Sequence, residues 1–491
     1  LSRGMGAGWG RSVRSAPGKL SAREGAGSSV SAMSQSAFAV EKTLWRLSVP
    51  ISISFTSLVL FGLVDLGYAV AIQDPDAVAA IGFYLPSQTL YGALWVGLSG
   101  GFTANLSQAM GYRDSARIET LRGAALRLLL ILIPLLSLFG LLFQFAIPHF
   151  GLEPGLTTAF AIYAGVLMVG SPWTGFWSII PDSIIKAHHD TRSTMVAGLI
   201  STVANVALNT LFVFGFHMGI LGIALATVLS RFASLTYALI RARALERGRL
   251  EEEAEGHLPV QVPEAGYRRR PIPGIVILAL PGMVAYLLAA VEGGVVNGVL
   301  TRLPESTIAI ASFGVYSRLL GLALMPSIGA SIAVLPFVSR RRAEGRSAEL
   351  GPALRETFLL CLVLAIVITL PIATFLNETL ATLILPEELK GSRETITATM
   401  EILRLLPLAA LGALPFSLLR PVFEAVHRAR MGLGISIVRF FVFALPLIFL
   451  GSTLAPDLGL SALTGVVLGL LVASMLASLV TLQMVRRVLQ S

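Results

Sequence analysis

Cysteine is all but missing from this chain. Cys361 is the only one, and it lies inside an apolar run, which leaves no internal disulfide framework and no cysteine-based metal site. Histidine is scarce as well. His149, His188, His189, His217, His257 and His427 fall in expected loops or at helix ends, and none forms an HExxH-type pair. No His/Asp or Ser/Lys constellation crosses the apolar runs, so the chain reads as a non-enzyme that needs no cofactor and no bound metal beyond a possible coupling Na⁺. Charge is the third scarcity: Asp, Glu, Lys and Arg make up 13% of residues, against about 25% in soluble domains.

What is there is hydrocarbon. Apolar residues are 55% of the 491, far more than one membrane anchor requires, so the chain reads as a polytopic protein whose partner is the lipid bilayer. The formal charge of +9 does not point to nucleic acid, because the basic residues sit in short loops between apolar runs. Residues 1–43 read as a disordered basic N-terminus, rich in Gly, Ser, Ala and Arg up to about residue 32 and without the apolar core of a secretory signal. Met33 directly precedes the first apolar run and reads as the true start.

Runs of about 20–30 apolar residues predict twelve helical spans at 44–72, 77–109, 120–148, 156–182, 191–216, 219–246, 272–301, 307–338, 352–376, 395–425, 429–451 and 459–485. All are read as α-helix, because backbone in hydrocarbon must satisfy itself. One set of loops carries Arg113, Arg117, Lys186, Arg192, Arg241, Arg243, Arg340 to Arg342, Arg428 and Arg430; the other carries Asp74, Asp76, Glu153, Glu305, Glu378, Glu387, Glu388 and Asp457. The positive-inside rule places the basic side and both termini in the cytoplasm, with the protein in the cell membrane. The charged segment 247–271 reads as a cytoplasmic linker between an N-lobe, 44–246, and a C-lobe, 272–491. The lobes resemble each other: LSVP at 47 answers LALP at 278, GFY at 82 answers FGVY at 313, and KAHHDTRSTM at 186 answers VFEAVHRARM at 422, at offsets between 231 and 236 residues. Six spans is an even number, so the second copy enters the membrane as the first did. The expected fold is an all-α membrane protein of two six-helix lobes related by a pseudo-two-fold axis along the membrane normal, enclosing a central cleft.

Four polar residues of the N-lobe stand out. Asp65 is the single charge in the run Leu47 to Ile72, and a carboxylate in hydrocarbon costs about 2.5–3.5 kcal/mol or more. Asn205 and Asn209 are spaced i, i+4 on span 5 and share one face; Thr227 is on span 6. Asp65, Asn209 and Thr227 each lie about eight residues, roughly 12 Å, from the outer surface. Desolvation favours the neutral form of a carboxyl, which suits a proton, whereas amide and hydroxyl oxygens suit Na⁺. The coupling ion is therefore read as H⁺ or Na⁺.

The Asp65 run, the stretch DPDAVAAIGFYLPSQTLYGALWVGLSGGFTANLSQAMGYRD from Asp74, and the blocks HHDTRSTM, NVALNTLFVFG and LGIALATVLS between His188 and Ser230 together resemble the multidrug and toxic compound extrusion (MATE) transporters, within the multidrug/oligosaccharidyl-lipid/polysaccharide flippase superfamily. The likeness runs from about Leu44 to the C-terminus and is stronger in the N-terminal half. It implies an antiporter that exports cationic or amphipathic small molecules against H⁺ or Na⁺, expected to work as a monomer. The family's N-lobe cation site uses an Asp of span 1, an Asn and an Asp of span 5 and a Thr of span 6, which match Asp65, Asn205, Asn209 and Thr227. Asn209 departs from that pattern by replacing a carboxylate, which weakens the pull on Na⁺ and favours one proton at Asp65.

A second group is read as a substrate or second cation site: Glu292 and Asn297 of span 7, Arg318 of span 8, and the aromatics Tyr68, Trp173 and Trp177, which can stack on planar cations. The rival for Glu292 is an ion pair with an arginine of its own lobe. Arg404, Arg420 and Arg439 are expected to snorkel to the interface. Several unpaired arginines in the cleft instead favour the alternative, a flippase for lipid-linked oligosaccharides or other anionic lipid precursors.

Overall fold

The structure, a computed structural model, describes residues 43–254, 270–303, 305–384 and 393–490, the side chains of 55–63 excepted. The N-terminal segment with Met33, most of the linker, and Glu387 with Glu388 lie outside the described residues. Twelve long helical segments follow one another: α1 Leu44–Ala71, α2 Pro75–Gly111, α3 Ser115–Phe143, α4 Pro154–Ala187, α5 Thr191–Gly215, α6 Gly219–Ala254, α7 Pro271–Leu300, α8 Ser306–Ala343, α9 Ser347–Thr382, α10 Leu406–Ala425, α11 Ala429–Leu454 and α12 Ala462–Gln490. Ten of them, α3 to α12, are long and apolar enough to cross a membrane. The protein is an all-α, multi-pass membrane protein of two six-helix lobes.

Local chemistry sets the helix ends. Asp74 Oδ1 accepts the N–H groups of Asp76 and Ala77 and starts α2, with Pro75 in its first turn. Asp114 Oδ1 accepts the Arg117 N–H at 2.9 Å and starts α3, satisfying a donor that the helix leaves without an internal partner. Span 3, expected at 120–148, is thereby shifted toward the N-terminus. The cap adds a charged first turn that hydropathy cannot see, and a 3₁₀ turn at Ile147–Phe150 follows the helix near Pro148. Span 10, expected unbroken from 395, is a helix Arg393–Leu403 and then α10, broken just before Pro407, which has no N–H to donate.

The lobes meet along a seam where helix backbones come close together. A Cβ added at Gly97 would lie 2.6 Å from Ala279 O, and one at Gly101 would lie 2.3 Å from Ile275 O, so only glycine lets α2 approach α7 this closely. Gly329 of α8 sits in the same way against Ser52 of α1, and Gly111 of α2 against Ala343 of α8. Ser52 Oγ donates to Pro326 O at 3.2 Å and Asn105 Nδ2 to Gly274 O at 3.3 Å across the same seam. These contacts all lie in the half nearer the arginine-rich end. Toward the other end Leu66 and Val70 of α1, and Tyr286 and Val291 of α7, are exposed. Helix α1 straddles the two lobes: Leu44, Leu47 and Ile51 are buried with α8, α10 and α12, whereas Ala69 is buried in the N-lobe core.

Candidate cation site

Asp65 lies six residues before the end of α1, about 9 Å along the axis, and only 4% of it is exposed. Its carboxylate is filled by donors from two other helices. Asn205 Nδ2 and Asn209 Nδ2 both donate to Oδ1, at 3.1 and 3.0 Å. Thr227 Oγ1 lies 2.6 Å from Oδ2 and 3.1 Å from the carbonyl of Ile223. The structure thus brings together all four residues that the sequence singles out. The i, i+4 spacing on α5 lets two amides reach one oxygen. The π-helical turn Thr210–Gly215 begins directly after Asn209, the kind of irregularity that often marks functional sites.

Two features of this site escape the sequence reading. Arg231, one turn beyond Thr227 on α6, donates from Nη1 to Ser171 Oγ of α4 at 3.3 Å. An arginine twelve residues inside an apolar helix was the available signal. The second is the pair of amide oxygens, Asn205 Oδ1 and Asn209 Oδ1, which are buried without a hydrogen-bond partner. A buried carbonyl without a partner is uncommon and calls for a reason. A hard cation is one ligand that such oxygens, together with a carboxylate, are chemically suited to hold.

The remaining candidates are dispersed. Tyr68 stays near Asp65, one turn away, with its hydroxyl 2.5 Å from Thr210 Oγ1 and 3.2 Å from Val206 O. Trp173 is exposed. Trp177 lines a separate groove of about 530 Å³ near Arg122, Ile180 and Leu239. In the C-lobe Glu292 is bound by Arg439 through two bonds, Nη1 to Oε2 at 2.7 Å and Nη2 to Oε1 at 2.9 Å, and that guanidinium also lies 5.3 Å from the ring centre of Phe416. Asn297 and Arg318 are exposed. Two arginines expected to snorkel do not: Arg439 is paired with Glu292, and Arg420 with the buried Glu424 one turn on. A carboxylate within reach offers a guanidinium more than the distant interface does.

Two helical lobes, a seam confined to one end and a buried carboxyl among amides together define a multi-pass membrane transporter. The MatE family model matches residues 50–211 and 281–450, and the chain belongs to that family. It is 24% identical to a FAD transporter of Shewanella oneidensis, over 84% of this chain and 88% of that one. It is 22% identical to the multidrug export protein MepA of Staphylococcus aureus, over 61% of this chain and 64% of the relative. Among solved structures, an outward-facing multidrug resistance MATE transporter of the MOP superfamily superposes with a TM-score of 0.77 at 18% identity, covering 91% of this chain and 96% of that one. A Vibrio cholerae MATE transporter gives a TM-score of 0.78 at 21% identity, over 91% and 96%.

Proposed function

We propose that the protein is a proton-coupled antiporter that exports cationic or amphipathic small molecules by alternating access. The observation that carries this reading is the Thr227 hydroxyl, which has two acceptors in reach, Asp65 Oδ2 and Ile223 O. When Asp65 is ionised, the hydroxyl donates to it. When Asp65 takes a proton at Oδ2, the new O–H donates to Thr227 Oγ1 and the hydroxyl turns to Ile223 O. One proton is accommodated with every hydrogen bond kept and no heavy atom moved. Among the described residues no second carboxylate faces Asp65, in keeping with Asn209 standing where the family commonly has one.

The arginine-rich end is taken as cytoplasmic, so the seam closes the inner side and the exposed halves of α1, α2, α7 and α8 open outward. Export then begins with proton uptake. Asp65 takes a proton from outside, α1 shifts against the C-lobe on which its first turns rest, and the exported compound is released. Pro50 lies within the C-lobe-docked part of α1, between Leu47 and Ile51, and removes one of the helix's hydrogen bonds, which allows a bend there. The lobes then rock, and the proton leaves inward.

A second reading, Na⁺ as the coupling ion, is supported by the two unpartnered amide oxygens, which a turn of each amide would aim at the carboxylate. The flippase alternative loses its premise at Arg420 and Arg439, both of which are paired. The likeness to a FAD transporter keeps larger amphipathic anions among the substrates to be assayed. The deciding experiment is efflux of a fluorescent cation and of FAD from proteoliposomes under separately imposed pH and Na⁺ gradients. Export driven by the pH gradient alone is expected; export driven only by Na⁺ would replace the proton with the second reading.

A further inference from the structure

A buried ion pair lies in the N-lobe near its arginine-rich end. Lys186 Nζ is 2.5 Å from Asp182 Oδ2, one turn apart on α4, and the two side chains are 5% and 14% exposed. Asp182 Oδ1 accepts from Thr194 Oγ1 of α5 at 3.4 Å. The Lys186 ammonium also lies 5.6 Å from the ring centre of Trp95 on α2. A pair of this kind gives little stability, because desolvation offsets most of its attraction. Its position is more telling. Asp182 is about 8 Å along the axis from the end of α4, while Asp65 is about 9 Å from the opposite end of α1. Helix α5 joins them: Thr194, Gly198, Thr202, Asn205 and Asn209 recur at three- or four-residue spacing and so share one face. Thr194 touches Asp182, Gly198 faces Ser54 of α1, and Asn205 and Asn209 touch Asp65.

We propose that Asp182 is the exit station of the proton, with Lys186 as the residue that positions it. This rests on Asp65 being the uptake site. In the inward-facing state the Asp65 carboxyl gives up its proton, which passes by way of entering water and the hydroxyls on this face of α5 to Asp182 Oδ1. Asp65 returns to the carboxylate and Asp182 becomes neutral. Lys186, released from its counter-charge, stays held over the Trp95 ring. Asp182 then loses the proton to the cytoplasm and the ion pair re-forms. Charged groups on the elements packed around this pair include Arg340 of α8, which donates to Ala187 O at 3.1 Å, the Asp190–Arg241 pair at 2.7 Å beside Ser193, and the Glu246 cluster of α6, which binds His188 at 2.9 Å, Arg249 at 3.1 Å and Arg122 at 3.3 Å.

The test uses the full chain in proteoliposomes with two assays: export driven by a pH gradient, and substrate counterflow at equal pH, which needs no net proton movement. Asp182→Asn is expected to lower driven export at least tenfold and to leave counterflow within twofold. The double variant Asp182→Asn/Lys186→Gln, which leaves no uncompensated charge, is expected to stay as impaired as the single variant. A pair that merely braces α4 makes the opposite forecast, since removing both charges restores what removing one destroys. Wild-type driven export in Asp182→Asn, recovery in the double variant, or loss of fold in both would each overturn the proposal. Asp65→Asn is run alongside. If it retains driven export, the uptake reading fails; if it loses driven export while Asp182→Asn keeps it, only the exit station fails.

Discussion

Each lobe holds a carboxylate between its first and fifth helices, buried at Asp65 and half-buried at Glu292, and the neighbours differ. In the N-lobe Asp65 of α1 meets two amides from α5 and a hydroxyl from α6. In the C-lobe Glu292 of α7 meets the guanidinium of Arg439 on α11, bound through both oxygens. Both α5 and α11 carry a π-helical turn near the contact, at Thr210–Gly215 and Val438–Ala444. A carboxylate among neutral donors can gain a proton and leave no charge stranded. Protonating a carboxylate that an arginine holds through both oxygens breaks a bidentate pair and strands the guanidinium, so Glu292 gives up its charge less readily. On the proposed mechanism the repeat carries an exchangeable carboxyl in the N-lobe and an ion-paired one in the C-lobe, and the partner residue separates the two.

The largest effect expected from breaking this contrast is at Asp65. Asp65→Asn is expected to abolish gradient-driven export while the protein still folds and inserts, as read by proteoliposome efflux beside a thermal melt. Next comes Glu292→Gln, which strands Arg439 and is expected to cost about 3–5 kcal/mol of stability; Glu292→Gln/Arg439→Gln is expected to regain most of it. If Glu292→Gln instead melts like wild type but cannot couple, the C-lobe carboxylate is an ion site after all. Asn209→Asp gives the N-lobe a second carboxylate, and two like charges in contact titrate in separate steps, so the pH profile of export is expected to broaden into two transitions. Thr227→Val removes a donor worth about 1.5–3 kcal/mol to an ionised group. Driven export is expected to fall by about tenfold or more. The smallest effect belongs to the exposed Arg318: Arg318→Ala is expected to shift stability by no more than about 0.5 kcal/mol.

Much of this was legible in the sequence, for identifiable reasons. Twelve apolar runs and the repeated LSVP and LALP register read out the architecture because hydrocarbon permits so few structures. The cluster at Asp65 was legible because helical rise puts Asp65, Asn209 and Thr227 at one depth. Azimuth was not. Trp177 has a suitable depth and type, yet it faces a separate groove, and only packing reveals which way a side chain turns. The fates of Arg420 and Arg439 were hidden for a related reason: depth alone cannot tell a snorkelling arginine from one with a carboxylate beside it. Arg231 and the Asp182–Lys186 pair were open to reading by the same argument that singled out Asp65, since each is an ionisable group within or at the edge of an apolar run.

The most direct test of the account is to count protons. Proteoliposomes loaded with a pH-sensitive dye and held at equal Na⁺ on both sides are given an outward substrate gradient, and the wild-type chain is compared with Asp65→Asn. The account predicts proton movement opposite to the substrate in the wild type and none in the variant. Substrate flux with no proton movement in the wild type, or the same proton flux in Asp65→Asn, would contradict it.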